Sequence, residues 1–171
     1  MDWGGLTISN GGTESDVWKT LSVDEWTYLL DQRTTLSGIR FAKAWIYDEN
    51  HNSIEGILLL PDNWSTDYYP VFRPNDKNKY FNSNIIDYDK WERRYGCHGA
   101  VFLPVGGVRN GNAVSGIDSN IEGNYWCRDF SSSTSANRLH FIQWNQYGNA
   151  VYTEGAQRRF GCSVRLVRYA N

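Results

Sequence analysis

A chain of 171 residues has the size of one ordinary domain and is too short for two well-filled cores. Its net charge of -2, with acids and bases interspersed, excludes an electrostatic footprint for nucleic acid or anionic lipid, and no apolar run approaches the ~20 residues of a membrane helix. Three cysteines (Cys97, Cys127 and Cys162), odd in number and without C-x-x-C spacing, argue against both a disulfide framework and a zinc site.

Met1 to Gly5 lack the basic and apolar regions of a signal peptide, so export would need a signal or carrier from outside this chain. The informative bias is aromatic. Eight Trp, eleven Tyr and seven Phe exceed what a core of this size easily hides, so some should stand on the surface, where such residues anchor ligands.

In chain order, the first helix signal is Ser22-Val-Asp-Glu25, a capping box, with Trp26, Leu29, Leu30 and Arg33 following at helical spacing. Residues 39 to 47 and then Gly56 to Leu60, ending at Pro61, read as strands. A second short helix is expected over Asp87 to Gly96, with Asp87 as N-cap, bases in its last turn and Gly96 as its stop. Gly99 to Pro104 reads as a buried strand, and Arg109-Asn-Gly-Asn112 as a tight primed hairpin turn. Further strands are expected near residues 124 to 127, 138 to 143 and 162 to 168. Long polar stretches, 62 to 86 and much of 128 to 160, read as loops. The fold class is therefore α+β: two short helices, a small twisted and mostly antiparallel sheet, and long loops.

Several blocks in this order carry a resemblance over nearly the whole chain: Trp18 to Arg33, Gly56 to Trp64, Gly99 to Pro104, Gly123 to Trp126 and Ser163 to Arg168. Together they resemble the Fibrobacter succinogenes major paralogous domain and its Bacteroidales relatives, within the formylglycine-generating-enzyme branch of the C-type lectin fold. The same branch includes variable proteins diversified by retroelements, such as phage tropism determinants and bacterial surface adhesins. The resemblance implies one C-type-lectin-like domain over residues 1 to 171, with a variable ligand-binding segment at 124 to 162. That segment runs from Tyr125-Trp126 to the block Gly161-Cys-Ser-Val-Arg165.

Adenine-directed mutagenesis in such systems reaches only certain codons, and this rule sorts the segment. Trp126, Gln143, Trp144, Gln146, Glu154 and Gln157 are unreachable and are assigned to framework or uninvolved loop. The reachable and outward candidates for ligand binding are Asn124, Cys127, Arg128, Phe130, Asn137, Arg138, His140, Ile142, Tyr147, Arg159, Phe160 and Cys162.

Trp26, Trp64, Trp91 and Trp126 sit in the shared blocks and are expected to pack the core. For Trp144, Tyr147, Tyr152 and Phe160, which lie in the polar C-terminal stretch, binding and packing stand as equal readings at each position. No Glu-Pro-Asn or Gln-Pro-Asp calcium signature occurs, and Leu60-Pro-Asp-Asn-Trp64 is read as a framework turn. His51, His98 and His140 show no metal spacing, and His98 is read as a helix-end residue. No catalytic residue, cofactor or metal is expected.

The expected function is recognition of a protein or glycan receptor on another cell. The domain would be carried extracellularly, on a bacterial surface or a phage tail, without nucleic acid or membrane insertion. Multivalent display would raise a weak single-site affinity. Two rivals stand beside this: a formylglycine-generating-type oxidase using Cys127 and Cys162, since thiolates suit reduced copper, and a structural surface-assembly domain.

Overall fold

The computed structural model describes residues 17–118, 120–144 and 148–168. The chain is α+β, with two short helices and several small, mostly antiparallel sheets. After a two-residue strand β1 (Lys19–Thr20), the Ser22 hydroxyl accepts from the Glu25 amide at 3.1 Å. Glu25 in turn accepts from the Ser22 amide at 2.8 Å. This capping box starts α1 (Val23–Thr27), which runs on through a wide turn over Tyr28–Gln32 and buries Trp26 and Leu30.

The central layer is a four-stranded sheet in the order β4-β2-β3-β5, formed by β2 (Phe41–Tyr47), β3 (Ser53–Leu59), β4 (Ile85–Ile86) and β5 (Val101–Pro104). Only the β2–β4 pairing is parallel. β2 is buried on both faces because each face meets a core. On one side Phe41, Ile57 and Leu103 join Trp26, Leu30, Phe81, Tyr125, Leu139 and Phe141. On the other, Ala44, Ile46 and Leu58 join Trp64, Ile86 and Tyr95.

The second helix, α2 (Tyr88–Lys90), starts where the Asp87 carboxylate accepts from the Lys90 amide at 2.8 Å. It continues through Trp91–Tyr95 and a final tight turn, Gly96–His98. The expected stop at Gly96 is corrected: Gly96 keeps right-handed helical angles, and the chain turns out at Gly99, whose φ of 85° lies in the left-handed region. The hairpin of β6 (Val108–Asn110) and β7 (Ala113–Ser115) turns on Gly111-Asn112, one residue later than an Asn-Gly turn would. Of these two, only Gly111 has positive φ (61°).

The C-terminal third differs most from the sequence reading. β8 (Asn120–Phe130), β9 (Ser135–Trp144) and β10 (Gly148–Gln157) form an antiparallel sheet in the order β10-β9-β8. β10 falls where a polar loop was expected. The expected strand at 162 to 168 reduces to β11 (Leu166–Val167), paired with β1, and an isolated bridge between Ser163 and Tyr125. Hydrogen bonds from Ser163 N to Asn124 O (2.8 Å) and from Trp126 N to Ser163 O (3.0 Å) lay this return segment along β8. Arg109 and Gly161 exchange backbone bonds of 2.9 and 2.8 Å, tying the hairpin to the same segment.

Candidate binding surface at one end of the three-stranded sheet

Alternation along β8, β9 and β10 sends one set of side chains to the core and the other to the opposite face. Tyr125, Leu139, Phe141 and Val151 face the core. On the opposite face, Asn124, His140 and Tyr152 stand in register, beside a row formed by Trp126, Arg138 and Glu154.

Much of that opposite face is covered. His140 Nε2 lies 2.8 Å from Glu122 Oε2, and Nδ1 lies 2.8 Å from Glu154 Oε1, off the axis of a directed hydrogen bond. Arg138 Nε donates to the same Glu154 oxygen at 3.2 Å, and Tyr152 meets the His140 ring edge-on at 5.2 Å. Burial alone would push the Glu122 carboxyl up, but the hydrogen bond and charge of His140, with Asn124 and Arg138, hold it below the usual carboxylate range. The hairpin closes this cluster from above, with Gly116 packed directly on the Glu122 side chain and Gly107 O accepting from Asn124 Nδ2 at 3.0 Å.

Four of the expected outward residues are therefore corrected. Asn124 is fully buried under the hairpin, His140 is held among carboxylates, Ile142 is buried, and Cys127 belongs to the core beside Tyr125 and Leu139. Arg138, Asn137 and Cys162 are half-buried, with the Cys162 thiol against the Arg138 guanidinium. Tyr147 and Gln146 lie outside the described residues. Glu154, assigned to framework or uninvolved loop, is a member of the charged cluster, whereas Gln143 does hold the scaffold, its side-chain oxygen accepting from Phe81 N at 2.6 Å.

The exposed members gather at one end of the sheet. β8 is irregular between Trp126 and Phe130: it advances from Trp126↔Arg138 to Phe130↔Ala136, spending more residues than β9 does. Such a bulge re-aims side chains. Arg128 and Phe130 emerge exposed beyond it, Phe130 with 69% of its surface free. Asp129 is turned inward, its carboxylate accepting from Val23 N at 2.7 Å.

The exposed loop Ser131-Ser-Ser-Thr134 then leads into β9, and the end of β10 delivers Arg158, Arg159 and Phe160 alongside it. Arg158 lies over the Phe130 ring at 5.4 Å, and Arg159 over the Phe160 ring at 5.7 Å. Among the described residues neither arginine pairs with a carboxylate; Arg128 stands 3.7 Å from Glu25, which also binds Lys19 at 2.7 Å.

A cleft of about 220 Å³ is walled here by Trp126, Cys127, Arg128, Asp129, Phe130, Ala136 and Arg158. An open depression of about 580 Å³ adjoins it between Ser133–Ser135 and Gln157–Arg159. The sequence reading missed Arg158 and took Trp126 for core, although Trp126 is half-exposed on the cleft wall. Arg158 neighbours the candidates Arg159 and Phe160, and this adjacency was the available signal.

The two cysteines of the oxidase alternative lie on opposite sides of the sheet. Cys127 is in the core, where burial and the nearby Asp129 push its thiol up to about 12. Cys162 is on the other face, where burial pushes its thiol up to about 11. Both are therefore neutral thiols at physiological pH, and nothing in their placement makes them a pair.

Comparison of the chain with protein-family models, with curated proteins and with solved structures finds no match. Among the described residues no helix is long and apolar enough to cross a membrane.

Proposed function

We propose that this chain is a receptor-binding module of C-type-lectin-like fold, an adhesin or phage host-recognition domain, presenting the exposed end of its β8–β9–β10 sheet to a ligand on another cell. The observation that carries the reading is the grouping of Arg128, Phe130 and Arg158 around one cleft, with Arg159 on the depression that adjoins it. Exposed aromatics and arginines dominate interface energies, and these four stand on a sheet whose opposite face is packed into the core. A rigid sheet with a separate, solvent-facing end lets recognition residues change without disturbing the fold. The α+β architecture and the order of sequence blocks support the lectin-like assignment, and an extracellular location on a bacterial surface or phage tail follows from the proposed role.

The same geometry narrows which positions retroelement diversification would use. Positions 128, 130 and 159 are exposed and 160 is half-buried beside them, so these four remain accessible, whereas changes at 124, 127, 140 and 142 would act on packing. Sequencing this gene from many isolates tests the point. Substitutions should concentrate at the four accessible positions, and differences spread evenly over the chain would favour the structural-assembly alternative.

A further inference from the structure

We infer that the cleft at this end of the sheet takes an anionic saccharide, a sugar ring bearing a carboxylate or sulfate. The inference rests on the recognition reading above and specifies its ligand. Three features of the cleft point the same way. Arg158 in the cleft and Arg159 on the adjoining depression offer guanidinium groups without a carboxylate partner among the described residues, and Arg128, 3.7 Å from the Glu25 carboxylate, adds a shared one at the rim. The nearby acids are engaged: Asp129, on the cleft wall, accepts from the Val23 amide, and Glu25 accepts from Lys19 and the Ser22 amide while lying 3.7 Å from Arg128, so the three arginines and Lys19 outnumber the two carboxylates. Charge complementarity therefore calls for a ligand anion, and the planar guanidinium is the group best matched to a carboxylate or sulfate.

The second feature is shape. A space of about 220 Å³ accommodates a single ring and not a folded surface. Its walls include the half-exposed Trp126 and the exposed Phe130, flat apolar faces of the kind that take the C–H side of a sugar ring. Arg158 covers one face of Phe130, and with 69% of that residue exposed the ring keeps open surface for a ligand. The third feature is the set of hydroxyls of Ser133, Thr134 and Ser135 along the adjoining depression. Hydroxyls both donate and accept, which suits the mixed demands of sugar hydroxyls. An acidic peptide would use the arginines but leave the aromatic wall and the hydroxyl edge poorly matched.

The test is titration of the full chain with oligogalacturonate, hyaluronan and sialyllactose as carboxylated probes and chondroitin sulfate as a sulfated one. Methyl-esterified oligogalacturonate and a tetraglutamate peptide are the controls. Binding should be seen with at least one charged saccharide. It should weaken at least tenfold for the methyl ester or the peptide, at least tenfold for Arg158→Ala and for Phe130→Ala, and with added salt. The carboxylated and sulfated arms identify which anion is preferred.

Equal or tighter binding of the peptide would overturn the inference in favour of an acidic protein ligand. Equal binding of the ester, or no binding of any charged saccharide at millimolar concentration, would also overturn it. Adhesion of the same two variants to intact cells separates this from the broader reading. If adhesion is lost while no saccharide binds, the surface is right and the ligand class wrong; if adhesion persists, the recognition surface itself is wrong.

Discussion

The Lys43 ammonium, buried between the two main sheets, donates to the Ile142 carbonyl oxygen at 3.1 Å and sits 5.0 Å from the centre of the Phe81 ring. Burial, opposed only by the charge of Asp76, lowers its pKa to about 7 from 10.5. Between these values this group is protonated in the unfolded chain and not in the folded one, so its contribution to stability rises with pH across that window. Below pH 7 both states are protonated and the burial penalty is fully felt. The rise from this one group is at most roughly 5 kcal/mol at 1.36 kcal/mol per unit. Urea denaturation from about pH 6 to 9 should show increasing stability in the original protein and a flatter profile in Lys43→Met. Parallel profiles would contradict the account of Lys43. Above about pH 9 the trend reverses, because burial pushes the Cys162 thiol up to about 11 and the Cys127 thiol up to about 12 from 9, and above pH 10 the raised Tyr95 and Tyr125 hydroxyls add to the loss.

Trp26 and Trp91 differ in what they anchor. Trp26 is 1% exposed and joins α1 to the C-terminal sheet through Leu139 and Val151, whereas Trp91 is half-buried against Tyr95 and Phe102. Trp26→Ala should cost about 3 to 5 kcal/mol and Trp91→Ala about half as much. Chemical denaturation measures both, and a loss below about 1 kcal/mol for Trp26→Ala would mean that the core is misplaced.

His140→Ser should be severely destabilising, by about 3 kcal/mol, because it leaves the Glu122 carboxylate buried without its partner. Ile142→Ala should cost about 2 kcal/mol or more. The expected signature is a lower denaturation midpoint with an unchanged slope. Surface-like losses under about 0.5 kcal/mol at both positions would return them to the exposed set.

The thiols should separate by access. Cys97 is exposed, Cys162 half-buried and Cys127 buried. Native alkylation followed by mass analysis should label Cys97 first and Cys127 only on unfolding. Rapid labelling of Cys127 in the folded protein would contradict its placement in the core.

Local chemistry was legible in the sequence wherever it was self-contained. The Ser22–Glu25 capping box, the Asp87 N-cap and the buried run of β5 need only neighbouring residues to specify them. β10 was not legible: Gly148 to Gln157 is an edge strand whose Val151 is its one large core side chain, so its alternation is faint. The site was legible in part for a related reason. Codon reachability distinguishes residue types but not the two faces of a strand, so Arg128 and His140 looked alike until the hairpin was seen to cover one and the β8 bulge to expose the other. Arg158 entered through Phe130, a partner far from it in sequence.

The measurement that bears most directly on the recognition surface is adhesion of the fourfold variant Arg128→Ser, Phe130→Ser, Arg158→Ser and Arg159→Ser to intact candidate host cells, at matched folding. All four side chains are exposed, so each change should alter stability by no more than about 0.5 kcal/mol. Adhesion should fall to background, because aromatic and arginine anchors carry most of an interface's energy. A folded variant that adheres as well as the original would show that this end of the sheet is not the recognition surface.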